Sequence, residues 1–370
     1  MARLSLLLLL ALGLALAGGG QWGGSGDDRA YAAAARPGAV RIGGSSEGRL
    51  LWLSWKEGRF AARIGGPGAV RALDAAGDYW AGEAAGQAAL GRWGEPPLWR
   101  LGAAVRSRAV GIWTEGARAW VAGTLEGPRP DPLLGGSDLF LAEVDLKSGA
   151  TLALHRFGTG DDDHATAFVH DREGGFWLAG YLEVNEDCIR VSERAFLYRL
   201  DPAGRVRARH LFGFAASSRA RALLPLPGGA VLAGSTDGAL FGPAAGGDDL
   251  FLVRFDTRAR PLAQVQFGTP LSDLPRALAR GRKGLWLAGA SAGGLAGANR
   301  GGFDAFWLRV GEGGKPVPGG ALGTPGDDAI TALAAGPGGV FAVGETEGAL
   351  FGPAAGGRDV FLFRLAPGGE

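Results

Sequence analysis

Residues Leu285–Gly289 read LWLAG, a short aromatic and aliphatic run that ends on a glycine, and the same construction recurs along the chain. FWLAG ends at Gly180, AVLAG at Gly234 and VFAVG at Gly344, so the four copies are spaced by 54, 55 and 55 residues. Weaker copies end at Gly44 (VRIGG), Gly82 (DYWAG) and Gly123 (AWVAG), spaced by 38 and 41, with 57 residues from Gly123 to Gly180. Self-similarity at a fixed period is the signature of a repeat architecture and takes precedence over local propensity. Each full unit carries four strand-length runs. In the unit that starts at Asp273 they are PRALAR, LWLAG, FDAFWLRV and VPGGALG, separated by Gly, Pro, Asp and Ser. No stretch sustains a 3.6-residue period with caps.

Four strands per unit and seven units predict an all-β fold, a seven-bladed β-propeller of four-stranded blades. The small-residue run, as in ATAF at Ala165, suits the crowded innermost position. The run ending Ala-Gly would follow it, DLFLVRF would be third and QVQFG outermost. The last unit stops after its third run, DVFLFRL, and the chain near its start reads QWGG. That N-terminal strand is expected to complete the last blade and close the ring, which removes a free sheet edge. The decapeptide GALFGPAAGG occurs at Gly238–Gly247 and again at Gly348–Gly357, as the connection between second and third strands. A duplicated, undiverged loop accounts for it without any ligand.

Met1 to Ala17 has Arg3, a Leu/Ala run and a terminal Ala-Leu-Ala, the build of a cleavable signal peptide. The run is shorter than the roughly 20 residues of a spanning helix. Residues 1–17 are therefore expected to be a leader and 18–370 a single propeller domain, secreted, periplasmic or on the cell surface, with no transmembrane segment in the mature chain. The net charge of +1 offers no electrostatic reason to expect nucleic acid. The one cysteine, Cys188, allows no disulfide within the chain, so a hydrophobic core must hold the fold. The 68 glycines follow no Gly-X-Y period and accompany 46% hydrophobic residues, which fits tight turns between buried strands.

WGGSGDDRAYAAAARPGAVRIGGSS and FGTGDDDHATAFVHDREGGFWLAG resemble the SBBP family of bacterial β-propeller repeats. The later repeats match that pattern throughout, whereas Arg63 to Pro128 keeps the strands and loses the Asp pairs. The resemblance implies a propeller on an exported or surface protein and no defined chemistry.

Candidate site residues fall into four groups. Asp28, Asp163, Asp273 and Asp328 recur five residues past a turn glycine, with Ser107, Ser218 and Val70 at the equivalent place elsewhere. Asp138, Asp249, Asp304 and Asp359 precede the third strands. A carboxylate ring could bind cations, but Asp-to-Ser exchange is what a structural turn cap predicts, because both accept backbone N–H bonds. In DDDHATAFVH, His164 and His170 are six residues apart, about 20 Å on a strand at ~3.3 Å per residue, which argues against a shared metal. No metal and no cofactor is expected. The stretch Tyr181 to Arg194 breaks the repeat template, so Glu183, Glu186, Asp187 and Arg190 are the expected binding residues. Arg199, Arg254, Arg309 and Arg364 recur in third strands and are expected to pair between blades.

No Walker loop, GxSxG elbow or HExxH occurs, and no catalytic residue is assigned. Inner-strand positions read mostly Ala, Leu and Val, with Arg71, Arg276 and His170 as exceptions. The expected function is that of an exported, non-catalytic, monomeric binding or scaffold protein of the cell envelope. It would recognise a protein or glycan through the face carrying the long connections. The alternatives are a propeller enzyme with an axial site (a hydrolase, lyase or quinone-dependent dehydrogenase) and a purely structural repeat protein.

Overall fold

A computed structural model describes residues 19–102, 106–126, 135–171, 173–187, 190–213, 216–282, 284–311 and 314–365, with the backbone alone for 185–187, 190 and 191. The leader expected over residues 1–17 lies outside the described residues. Every helix or strand among the described residues is a β-strand, and the fold is a β-propeller of antiparallel sheets.

Five sheets are separate four-stranded blades. The first is built from β9 (Arg106–Glu115), β10 (Arg118–Glu126), β11 (Ser137–Asp145) and β12 (Thr151–Phe157). The second is β13 (Asp162–His170), β14 (Phe176–Asp187), β15 (Arg190–Leu200) and β16 (Val206–Leu211). The third is β17 (Ser218–Leu226), β18 (Gly229–Thr236), β19 (Asp249–Phe255) and β20 (Pro261–Phe267). The fourth is β21 (Asp273–Gly281), β22 (Gly284–Ser291), β23 (Asp304–Val310) and β24 (Pro316–Leu322). The fifth joins β25 (Asp328–Gly336), β26 (Gly339–Thr346) and β27 (Asp359–Arg364) to β1 (Gly20–Trp22), in register Gly20↔Leu362 to Trp22↔Val360.

The sixth sheet corrects the expectation of seven four-stranded blades. It is one seven-stranded sheet of β2 (Asp28–Arg36), β3 (Ala39–Ser46), β4 (Arg49–Lys56), β5 (Arg59–Leu73), β6 (Tyr79–Ala84), β7 (Gln87–Arg92) and β8 (Pro97–Arg100). The 15-residue β5 pairs with β4 through its first half and with β6 through its second. The physical reason lies in its middle, IGGPG. Elsewhere a turn marked by a buried Asp, or by the buried Ser107 or Ser218, breaks the chain between one sheet and the next. Here Gly68 stands where that Asp would be: it pairs with Ala84 just as Asp28 pairs with Ser46. Glycine offers neither the carboxylate nor the hydroxyl found there at the other junctions, and the chain runs straight on. The equivalence assumed for Val70 was thus two residues out, since Val70 pairs with Gly82 as Ala30 pairs with Gly44.

Within each four-stranded blade the small-residue strand is innermost and the most exposed strand is outermost. Every residue of β18 is buried, whereas β20 is largely accessible. Cores form between sheets as well as within them. Ile42, Leu51 and Leu53 pack with Val343, Val360 and Leu362, and Leu250 and Leu252 pack with Leu287 and Phe306. Each such fully buried side chain contributes roughly 1.5–3 kcal/mol of transfer free energy, which is how the chain holds together without a disulfide.

The two identical decapeptides are held identically. Gln266 on β20 accepts from the amides of Leu240 and Phe241 and donates to Gly238 O and Asp249 Oδ2. Gln21 on β1 accepts from Leu350 and Phe351 and donates to Gly348 O and Asp359 Oδ2. One outer-strand glutamine therefore fixes the backbone of each loop in the same way.

Candidate functional site

The glycine that marks the repeat also shapes the axis. At Gly44, Gly82, Gly123, Gly180, Gly234, Gly289 and Gly344 an added Cβ would collide with a carbonyl oxygen of the neighbouring inner strand: Arg29, Ala69, Arg108, His164, Arg219, Leu274 and Ala329 respectively. Only glycine permits that approach. Directly beside each of these glycines the inner strand carries a β-bulge, where the register skips one residue. The skipped residues are Tyr31, Arg71, Val110, Thr166, Arg221, Arg276 and Thr331. A bulge takes a residue out of the ladder and re-aims its side chain. Here all of them line one cavity of about 450 Å³ on the propeller axis.

The cavity is cationic. Besides Arg71, Arg221 and Arg276 it is lined by Arg29, Arg108 and Arg358, with Glu345 as its acid. Arg29 lies 3.7 Å from Asp27, and Arg358 pairs with Glu347 at 2.5 Å and with Glu345 at 3.5 Å. Arg71, Arg108, Arg221 and Arg276 form no ion pair with any described residue. The Nε atoms of Arg71 and Arg221 are buried without a hydrogen-bond partner. Arg71 lies over the Tyr31 ring, 4.8 Å from its centroid. Burial pushes the pKa of Arg71, Arg221 and Arg276 down; neighbouring arginines push the same way, while Tyr31 opposes this at Arg71 and Glu345 at Arg276. Arg276 has the most accessible surface of the three, but that surface faces the cavity, and the protein around it still disfavours its charge. Burial pushes Glu345 up against the opposing effect of Arg276, Arg29 and Arg358, and its Oε1 accepts from the Ala30 amide at 3.2 Å.

The expectation that the inner strands present Ala, Leu and Val to the channel is therefore corrected. The alanines, such as Ala30, Ala220 and Ala277, are in the ladder and buried between sheets, while the bulged residues face the axis. Arg71 and Arg276 were visible as exceptions. Arg221, Arg108 and Arg29 were missed. The signal that finds them is the third residue after each turn Asp or Ser, together with the first residue after it. His170 does not line the cavity but stacks on Trp113, with centroids 4.2 Å apart.

The recurring aspartates are buried at the junctions between sheets. Asp28, Asp163, Asp273 and Asp328 accept through Oδ2 from the amides of Gly24, Thr159, Thr269 and Thr324, four residues earlier, at 2.5–2.6 Å. Asp249, Asp304 and Asp359 accept likewise from Ala245, Arg300 and Ala355. Asp138 is buried beside Asp163. Burial pushes Asp163 up to about 7, against its bonds to Thr159 and with help from Asp138. Asp28, Asp273, Asp304 and Asp328 are raised for the same leading reason.

The stretch Tyr181 to Arg194 is a hairpin rather than an irregular loop: β14 and β15 stay paired out to Asp187↔Arg190. Glu183 faces His164, Oε1 to Nε2 at 3.5 Å. The side chains of Glu186, Asp187 and Arg190, and Cys188 altogether, lie outside the described residues. The structure thus brings Tyr181, at the root of this hairpin, to the axial cavity, whereas Glu183 meets His164. No group of three or more metal-ligating side chains occurs among the described residues. Arg199 pairs with Asp171 of its own blade, not with a neighbouring one.

No protein-family model matches the chain, and no curated protein sequence does. Among solved structures it is similar to U3-55K, at 12% identity over 94% of this chain and 98% of that one, with a TM-score of 0.56. It is also similar to a Mycobacterium tuberculosis puromycin-hydrolyzing peptidase, at 16% identity over 85% of this chain and 50% of that one, with a TM-score of 0.50. At such identities the likeness shows the fold alone. No helix among the described residues is long and apolar enough to cross a membrane.

Proposed function

We propose that this chain is an exported, SBBP-like propeller of the cell envelope that binds a small anionic molecule in its axial cavity. One observation carries the reading: of the arginines that line the axis, Arg71, Arg108 and Arg221 form no ion pair with a described residue, and Arg276 shares its neighbouring acid, Glu345, with Arg358. A buried guanidinium without a partner is costly, and a bound carboxylate or phosphate supplies both the charge and the planar hydrogen-bond acceptor that it lacks. The cavity volume is in the range of small-molecule sites. Export is supported by the Leu/Ala-rich segment ending at Ala17. Binding is favoured over chemistry because the described cavity lining offers cations, hydroxyls and one carboxylate, Glu345, which is held by Arg358 and the Ala30 amide rather than by a hydroxyl.

The test is calorimetric titration of the purified protein with inorganic phosphate, sulfate and citrate at low ionic strength. The expected result is saturable binding to one site, weakened at least tenfold in Arg71→Gln and in Arg221→Gln. Absence of binding by all three anions, or binding indifferent to both substitutions, would overturn the reading.

A further inference from the structure

Four of the cavity arginines divide into two pairs by their place on the ring. Arg71 on β5 and Arg108 on β9 come from inner strands in contact with each other, as do Arg221 on β17 and Arg276 on β21. Within each pair the charges are close enough to act on one another: Arg108 lowers the pKa of Arg71, and Arg276 that of Arg221. Around the axis the inner strands follow the order β2, β5, β9, β13, β17, β21, β25, each touching the next and β25 touching β2. One arginine pair is therefore separated from the other by β13 on one side and by β25 and β2 on the other. The two pairs occupy opposite walls of the same cavity.

The walls between them differ. On one side stand Thr166 and Tyr181; on the other stand Thr331, Tyr31 and Glu345 with Arg29 and Arg358, which lie beside the acids Asp27, Glu345 and Glu347. Glu345 is held by Arg358 and by the Ala30 amide. An anion with one charged group can neutralise one arginine pair and leaves the facing pair without an anionic group of the ligand. A ligand charged at both ends satisfies both pairs at once, and its polar middle would lie among the hydroxyls.

Resting on the anion-binding reading above, we infer that the ligand carries two anionic groups at opposite ends of one small molecule, as in an α,ω-dicarboxylate or a bisphosphorylated sugar. The arginine pairs Arg71/Arg108 and Arg221/Arg276 each take one end. The second contact is then intramolecular, which raises affinity by about 10²–10⁴ when the spacing matches.

Two titration series test this on the purified protein at fixed low salt. One compares dicarboxylates from succinate to suberate with monocarboxylates of the same length. The other compares fructose 1,6-bisphosphate with fructose 6-phosphate. The expected result is that one series contains a two-ended member binding about 100-fold or more tighter than its one-ended partner. The series in which this occurs distinguishes carboxylate from phosphate ends. Arg71→Gln/Arg108→Gln and Arg221→Gln/Arg276→Gln should each remove the two-ended advantage, so that on each variant the two-ended compound binds within a few-fold of its one-ended partner measured on the same variant. Melting curves of both double variants without ligand check that they fold, and Arg→Lys pairs, which keep the charge, should recover part of the loss.

Equal affinity of one-ended and two-ended compounds, or loss confined to one double variant, overturns the inference and leaves the anion site standing. Failure of every anion to bind overturns the site as well.

Discussion

Gln21 Nε2 donates to Asp359 Oδ2 at 2.7 Å, joining the first strand of the chain to the last across 338 positions. The same glutamine holds Leu350 and Phe351 of the preceding loop. Gln266 repeats these bonds for the loop at Leu240 and Phe241. Gln21→Ala removes four hydrogen bonds and, at about 1 kcal/mol net each, should cost roughly 2–4 kcal/mol in chemical denaturation. Amide exchange should accelerate at Leu350 and Phe351 in that variant and at Leu240 and Phe241 in Gln266→Ala. Unchanged exchange at those amides would show that the glutamine does not hold the loops.

Gly289→Ala places a methyl against the Leu274 carbonyl, at the bulge that aims Arg276 into the cavity. Something must shift, and the bulge is the part that can. The expected loss is about 2 kcal/mol or more, with weaker anion binding in the fraction that folds. Gly66→Ala is the control, since nothing lies within 4 Å of its added Cβ, and it should change stability by less than about 0.5 kcal/mol. Equal melting temperatures for the two variants would contradict the close-approach account.

Asp163 has its folded pKa raised to about 7, against about 3.9 in an unfolded chain. Between those values the native state holds more protons than the unfolded state, so the stabilisation present at low pH is lost as pH rises through 7. The raised Asp28, Asp273, Asp304 and Asp328 act in the same direction. Asp78, Asp201 and Glu347, which are lowered, withdraw stability only in acid below the ordinary carboxylate range. The protein should therefore melt higher at pH 5 than at pH 8. For Asp163 the difference between pH 5 and pH 8 is on the order of 2–3 kcal/mol. Asp163→Asn keeps an acceptor for Thr159 and should stabilise at pH 8 but not near pH 4. A melting temperature that rises from pH 5 to pH 8 would refute the assignment.

Arg221→Met removes a buried charge that has no partner at Nε. Such a replacement should stabilise the unliganded protein by about 1 kcal/mol and abolish most of the melting-temperature increase produced by phosphate. Destabilisation without ligand would mean that Arg221 already has a compensating partner.

Much of the architecture was legible because its causes are local. A glycine that must let a carbonyl approach cannot be replaced, so Gly180, Gly234, Gly289 and Gly344 kept their period and exposed the repeat. The aspartates that accept from an amide four residues earlier recurred for a similar reason. The blade count was not legible. It depended on whether a turn or a straight strand follows Ile64, and the pattern of apolar runs is the same in both cases. What differs is one polar side chain, Asp or Ser at the other junctions and absent at Gly68, where β4 and β6 pair with the two halves of a single strand.

By itself the sequence determined an all-β propeller with small inner strands, because periodicity and turn chemistry act over a few residues. It did not determine the site. Tyr31, Arg71, Arg221 and Arg276 look like interruptions of an alanine-rich strand, and no single repeat holds two of them. Only closing the sheets around an axis brings the bulged positions together. Charge that would be solvated on an isolated strand then becomes confined in one cavity, where its lack of a partner acquires a cost and a use.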